Sequence, residues 1–331
     1  MFFSDDDTIF LAQVKAIIPA TKSFDREKIW PFIEQAERKY VFSLLEQELY
    51  DDLQKFVNEP TSWSGGSGED TTRTTELIRL IRIAELNLAN LIGYDLLNTV
   101  NSAAGFQKPG DSEGFKGLYK YQEENLKKYF ETTGYNGLDD MLKYIEDYIE
   151  YFPQWENSTY CTLRKTAIIK DAATFNSICY IAGSRLTFLR LQIFMDEVID
   201  FDIKPLLGDE YDNLMAELSS ESPEIRYTSL LPFIRKPLAF LACAKLIEKT
   251  GNLTDRGFFF EGKSAISPDD TYKNPAMGEA AWTMAKSYRD TGERYLKALA
   301  QYLIDNSFTD TGSTAGGPYN RDNTGKKTFV A

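Results

Sequence analysis

Thr75-Glu76-Leu77-Ile78-Arg79-Leu80-Ile81-Arg82 and Thr228-Ser229-Leu230-Leu231-Pro232-Phe233-Ile234-Arg235 read as two versions of one segment. In the first, apolar residues continue as Ala84, Leu88 and Leu91 at three- and four-residue spacing, while Arg79, Arg82, Glu85 and Asn87 fall largely on the other face. That period marks an amphipathic helix. It recurs over 30–57, 118–151, 184–199, 230–250 and 276–306, and strict alternation, the strand signature, is scarce. The chain therefore reads as mainly α.

Outward from this pair the match keeps its order, which makes the chain a tandem duplication of a helical domain. Phe32-Ile33-Glu34, Ala36, Val41 and Leu44-Leu45 stand opposite Phe194-Met195-Asp196, Val198, Ile203 and Leu206-Leu207. Tyr50-Asp51-Asp52-Leu53 faces Tyr211-Asp212-Asn213-Leu214, and Leu88-Ala89 faces Leu241-Ala242. Thr133-Gly134, Leu138, Tyr144-Ile145 and Asp147 face Thr291-Gly292, Leu296, Tyr302-Leu303 and Asp305. Leu44, Leu45, Tyr50, Asp51 and Leu53, with Leu206, Leu207, Gly208, Tyr211, Asp212 and Leu214, are thus structural positions of the repeat. Tyr is expected to pack its ring and Asp to bond local backbone N–H groups. Where the separation between copies changes, at 58–73 and 257–275, surface loops are expected.

Tyr151-Phe152-Pro153-Gln154-Trp155 ends a helix, so a boundary is placed near Pro153–Thr159. The domains are then 1–157 (first copy), 158–310 (second copy) and 311–331. The last stretch is rich in Thr, Gly, Ser and Asn and reads as a flexible arm, in which Tyr319, Arg321, Lys326 and Lys327 are candidate interface residues.

Composition narrows the function. The 331 residues carry 50 acidic and 37 basic side chains, a formal charge of −13, which disfavours wrapping nucleic acid. With no histidine, Ser-His-Asp and Cys-His nucleophile systems and imidazole acid–base catalysis are closed. Cys161, Cys179 and Cys243 are odd in number, widely spaced and set among apolar residues, so they read as small buried hydrophobes rather than a disulfide or zinc framework. Asp5-Asp6-Asp7 stands where an export signal needs positive charge, and reads instead as the cap of a helix beginning near Thr8. The most apolar stretch, 230–247, is broken by Arg235, Lys236 and Lys245, short of a membrane span. A soluble, intracellularly made chain is expected.

Two motifs invite chemistry and are set aside. Gly257-Phe258-Phe259-Phe260-Glu261-Gly262-Lys263-Ser264 fits the phosphate-loop pattern, but polar Asn252–Arg256 precedes it where a buried strand is required and Pro268 follows where a helix should open. Asp196, Glu197, Asp200 and Asp202 could offer oxygens to a hard cation, but their helical spacing splays them and no glycine folds the chain round an ion, so a solvated face is expected. Tyr119, Tyr121, Tyr129, Tyr135, Tyr144, Tyr148 and Tyr151 crowd one helical hairpin and suit a protein–protein interface.

At Pro205-Leu206-Leu207-Gly208-Asp209-Glu210-Tyr211-Asp212-Asn213-Leu214, and its weaker echo at 44–53, the sequence resembles helical structural proteins encoded in head-completion gene clusters of tailed phages and prophages of gut Bacteroidota, including crAss-like phages. The broader group is the head–tail connector, a ring beneath the portal. The resemblance implies a virion neck protein, assembled in the host bacterial cytoplasm. It would form a homo-oligomeric ring against the portal protein and tail or further neck proteins, and DNA would pass through without sequence-specific binding. It brings no enzyme activity, cofactor or membrane contact. The first copy has Glu46 where the second has Gly208, so the tight turn there is expected to differ. Two alternatives from other classes are a bacterial helical scaffold that binds proteins and a carboxylate-based hydrolase.

Overall fold

A computed structural model describes residues 1–19, 25–59, 63, 68–102, 105–107, 118–165, 167–220, 224–250, 259–263, 271–275 and 279–308. The chain divides into two compact units, Met1–Thr162 and Leu163–Ala331.

In the first unit, α1 (Asp7–Lys15) is capped by Asp6, whose carboxylate accepts from the N–H groups of Thr8 and Ile9, both at 2.9 Å. Helix α2 (Arg26–Ala36) passes through a π turn at Glu37–Val41 into α3 (Phe42–Asn58). Helix α4 (Gly68–Leu97) leads to a short hairpin, β1 (Val100–Ser102) with β2 (Gly105–Gln107), and α5 (Lys120–Asp147) returns along α4. Two short helices follow, α6 (Pro153–Glu156) and α7 (Thr159–Lys165). Helix α6 packs on α3 with Trp155 buried, so Pro153–Glu156 belongs with the first unit.

The second unit has α8 (Ala172–Ile178), α9 (Arg185–Val198), a π turn at Ile199–Ile203, α10 (Lys204–Leu207) and α11 (Glu210–Leu218). Helix α12 (Ile225–Thr250) is followed by the hairpin of β3 (Phe259–Lys263) and β4 (Thr271–Pro275), and α13 (Glu279–Asp305) returns along α12. The protein is thus mainly α, built from two tandem copies of one helical module.

The duplication runs deeper than side-chain identity. A Cβ at Gly134 on α5 would come within 2.7 Å of Leu88 Cγ on α4, and one at Gly292 on α13 within 2.7 Å of Leu241 Cγ on α12, so both long hairpins cross at the same glycine–leucine contact. The π turns occupy matching positions although their sequences, Glu-Arg-Lys-Tyr-Val and Ile-Asp-Phe-Asp-Ile, barely agree. Even the start of each module repeats. Phe2-Phe3 and Ile168-Ile169 are buried pairs, and the carbonyls of Phe2 and Ile168 accept from Arg82 Nε at 2.7 Å and Arg235 Nε at 2.8 Å. An aspartate then caps the next helix in both, Asp6 for α1 and Asp171 for α8.

Four expectations need correction. The turn at Glu46 keeps the same hand as Gly208, with φ of 59° against 56°, although Glu46 has a Cβ. Periodicity ran 30–57 together as one helix, but the π turn and this left-handed residue break it. The surface loops expected at 58–73 and 257–275 contain, respectively, the first residues of α4 and the strands β3 and β4, and β1–β2 sits at the matching place in the first unit. Glu85 and Asn87, assigned to the polar face of α4, are fully buried, because α2 and α5 both pack on this helix and leave its middle no solvent side.

Candidate functional site

The burial of Glu85 makes the centre of unit 1 the most unusual chemical environment among the described residues. Both carboxyl oxygens are buried without a hydrogen-bond partner. Burial, reinforced by the charge of Glu37, raises this carboxyl well above the ordinary range, against the opposing pull of the Met1 ammonium and Arg82. Glu37 lies on the π turn and is itself buried. Its Oε1 accepts from the Tyr50 hydroxyl at 2.7 Å and from Gln54 Nε2 at 3.2 Å, and lies 3.0 Å from the Met1 ammonium. That ammonium also donates to Gln54 Oε1 at 2.8 Å. Burial, then the bond to Glu37, raises the Tyr50 phenol. The Met1 nitrogen is thus shared between Glu37 and Gln54, and Glu85 stands apart from these bonds.

Unit 2 carries the same turn with apolar residues at the matching places. Ile199 stands opposite Glu37 and Met215 opposite Gln54 in the register of the π turns and of Tyr50 and Tyr211. Leu238 stands opposite Glu85 in the register of Arg82 and Arg235. All three pack in or against the apolar core. A periodicity argument could not find the cluster, since Glu85 occupies a position that an amphipathic helix would give to solvent.

The surfaces of the two units have diverged as well. Ile193, Phe201, Trp282 and Ile304, each half exposed or more, stand where unit 1 has Pro31, Lys39, Glu124 and Glu146. Conversely, exposed Phe42, Leu96 and Tyr129 stand where unit 2 has Lys204, Lys249 and Ser287. Met1–Thr162 carries 28 acidic and 16 basic residues, against 22 and 21 in Leu163–Ala331, so nearly all the negative excess belongs to unit 1.

The repeat positions fall into matched environments. Leu45, Leu53, Leu207 and Leu214 are buried, Leu44, Leu206, Tyr50 and Tyr211 half-buried, and Asp51 and Asp212 exposed. Asp51 accepts from Gln47 Nε2 at 2.8 Å, one helical turn away. The tyrosine group separates. Tyr119 and Tyr121 stack at 6.0 Å and are exposed with Tyr129, whereas the Arg73 guanidinium lies 3.9 Å from the Tyr148 ring and 5.7 Å from that of Tyr151.

Of the acidic group on α9 and its π turn, Glu197 pairs with Lys245 at 3.1 Å and Lys249 at 2.5 Å and Asp200 with Lys204 at 2.6 Å, while burial raises the carboxyls of Asp196 and Asp202. Phe259–Lys263 of the phosphate-loop pattern form a strand, which cannot present consecutive N–H groups as a helix start does, while Gly257, Phe258 and Ser264 lie outside the described residues. Tyr319, Arg321, Lys326 and Lys327, with all of 311–331, also lie outside them. Cys161, Cys179 and Cys243 are buried and outside any disulfide, and the Sγ atoms of Cys179 and Cys243 come within 3.3 Å. Among the described residues, no helix is long and apolar enough to cross a membrane.

These features define a class, a duplicated helical module with one polar and one apolar core centre. The chain belongs to a family of unknown function, DUF6712, whose model matches it twice, over residues 41–165 and 203–321. No curated protein and no solved structure matches it.

Proposed function

We propose that the chain is a structural subunit of a tailed-phage neck, several copies of which close into a ring that joins portal to tail and extends the DNA channel. The divergence of the two surfaces carries this reading. Phe201, Trp282 and Ile304 on unit 2, and Phe42, Leu96 and Tyr129 on unit 1, are exposed at positions that the sister unit keeps polar or charged, so the common fold does not require them and contact with another surface accounts for them. Contacts between two copies of unit 1 are opposed by its like charge, which favours unit 1 of one copy meeting unit 2 of the next. Such head-to-tail contacts close into rings when the rotation permits. The acidic excess also suits a passage along which DNA slides rather than sticks. The resemblance at 205–214 supplies the location, the virion neck, with the portal and tail or further neck proteins as neighbours.

Negative-stain electron microscopy of the purified chain, alone and mixed with the portal protein of the same phage, tests this. Rotationally symmetric class averages with a central hole are expected in at least one sample. Compact single particles in both would refute the ring. Removal of Thr311–Ala331 is expected to leave the melting transition in place and reduce the ring fraction.

A further inference from the structure

We propose that Cys179 and Cys243 are a reversible disulfide site, oxidised by a small peroxide and reduced by small thiols, which fastens the turn between α8 and α9 to α12. The two residues lie 64 positions apart in the chain, yet their Sγ atoms meet at 3.3 Å inside the core of unit 2. A disulfide holds its sulfurs about 2.0 Å apart, so a short approach of two side chains makes the bond. Cys179 ends α8, where its N–H donates to the Phe175 carbonyl at 2.9 Å. The turn beyond it is held by Asn176 Oδ1, which accepts from the N–H groups of Ile181 and Gly183, both at 2.9 Å. Tyr180, next in the chain, is 75% exposed, so the pair sits one residue beneath the surface. Among the described residues, no three metal-binding side chains gather in one place, so the group each sulfur is set to react with is the other sulfur.

Unit 1 shows that the fold does not ask for these groups. In the register of the capping aspartates Asp6 and Asp171, Phe10 matches Phe175 and Val14 matches Cys179. Asn90 matches Cys243 in the register of Arg82 and Arg235, and Phe130 matches Tyr288 in that of Gly134 and Gly292. Val14, Asn90 and Phe130 are all buried, and Asn90 donates its amide to the Leu86 carbonyl at 2.7 Å. Unit 2 alone has two thiols and a phenol at these places, and the Tyr288 hydroxyl bonds to Cys179. The bond with Cys243 holds the Cys179 thiol below its ordinary range, against burial and with the help of Tyr288, while burial pushes Cys243 well above it. Cys179 is therefore the attacking sulfur. Its thiolate attacks one oxygen of hydrogen peroxide, the O–O bond breaks, and the departing hydroxide takes up the Cys179 proton, leaving a sulfenic acid and one water. The Cys243 sulfur then attacks Cys179 Sγ, and the S–O bond breaks as hydroxide leaves with the Cys243 proton as a second water. Two thiols are oxidised and one peroxide is reduced. Two molecules of a small thiol reverse the bond by exchange and leave as their own disulfide.

The site stands whether or not the neck reading does, and its test needs no partner. The full chain is treated with hydrogen peroxide, quenched, unfolded in the presence of N-ethylmaleimide and mapped by mass spectrometry. A peptide joining Cys179 to Cys243 is expected, with Cys161 recovered alkylated and the crosslink lost on treatment with dithiothreitol. Recovery of both Cys179 and Cys243 as alkylated thiols, or of Cys179 as a sulfinic acid, would overturn the site. Closing a loop of this length favours folding roughly a thousandfold, so the oxidised chain is expected to melt roughly 10 °C higher. A crosslinked chain that melts with the reduced one would overturn the fastening. In Cys243→Ala, the sulfenic acid on Cys179 has no second sulfur to meet and is expected to be trapped by dimedone; no adduct would overturn the order of attack. Cys179→Val installs the unit 1 residue and is expected to remove the rise in midpoint, and an undiminished rise would place the oxidation elsewhere. The peptide map of the unsubstituted chain decides the matter even if neither variant folds.

Discussion

The turn shared by Glu46 and Gly208 permits a quantitative test of backbone strain within one chain. Glu46 sits at φ 59°, ψ 171° and Gly208 at φ 56°, ψ −134°, both in territory that side chains with a Cβ avoid. Nothing lies within 4 Å of where a Cβ on Gly208 would project, so Gly208→Ala adds strain without a clash. The strain costs about 1–3 kcal/mol, and the smaller freedom of the unfolded alanine chain offsets about 0.4–1 kcal/mol of it. A net loss of about 1–2 kcal/mol is expected, which for a unit of this size lowers the midpoint by about 3–6 °C.

Glu46→Gly runs in the opposite direction. It relieves about 1–3 kcal/mol of strain, restores roughly 0.5–1 kcal/mol of unfolded-chain entropy, and removes the bond that Glu46 Oε2 accepts from the Thr159 N–H at 3.2 Å. That exposed bond is worth no more than about 1 kcal/mol, so the substitution is expected to be neutral to stabilising. Glu46→Gln keeps the strain and the shape, and isolates the charge of that bond. Thermal and urea unfolding followed by circular dichroism reads all three variants. A Gly208→Ala protein melting within about 1 °C of the parent would refute the strain argument, because about 1 kcal/mol should move it by more.

Further outcomes follow from the cores. Glu85 holds its proton more tightly folded than unfolded, so its contribution falls as pH rises from about 4.3 toward the folded value. Glu85→Gln is expected to remove that slope, gaining on the parent by up to about 1.4 kcal/mol per pH unit, and an unfolding free-energy difference equal at pH 5 and pH 8 would refute it. Gly134→Ala and Gly292→Ala each force a helix crossing apart, with an overpacking cost of about 1–3 kcal/mol, reduced by up to about 1 kcal/mol of helix propensity. Denaturant midpoints should fall in both variants, and a rise in either would show that its leucine yields freely. Arg235→Ala should loosen the start of unit 2, read as faster amide exchange over 168–175; unchanged exchange would mean that the apolar pair holds the segment alone.

How much could be read in advance depended on what carries each feature. Gly134, Leu88, Gly292 and Leu241 are side-chain contacts at helix crossings, so duplication left them visible in the sequence, and the tandem helical architecture with them. The dock at the start of each module is carried by a backbone carbonyl, and Phe2-Phe3 shares no residue with Ile168-Ile169. The π turns leave no composition signal, and strands as short as Val100–Ser102 cannot display alternation. Glu85 was misplaced for a physical reason. Periodicity assigns a polar residue to water, whereas packing on two sides of α4 gave it none.

The paired π turns bear on how this chain can change in length. Each residue of an α-helix turns the following ones by 100°, and a π turn accommodates one residue beyond that regular winding. Deleting a single residue from Glu37–Val41 would restore ordinary helix and leave Leu45, Leu49 and Leu53 facing the core they enter together, whereas the same deletion in regular helix would swing them away. Substitutions inside the turn are tolerated, as the two unlike versions demonstrate. The helical phase between Ile33 and Leu45, rather than their spacing, is therefore the inherited quantity, and aligned relatives should confine one-residue gaps within 33–45 to the turn while varying freely in residue type at 38–40.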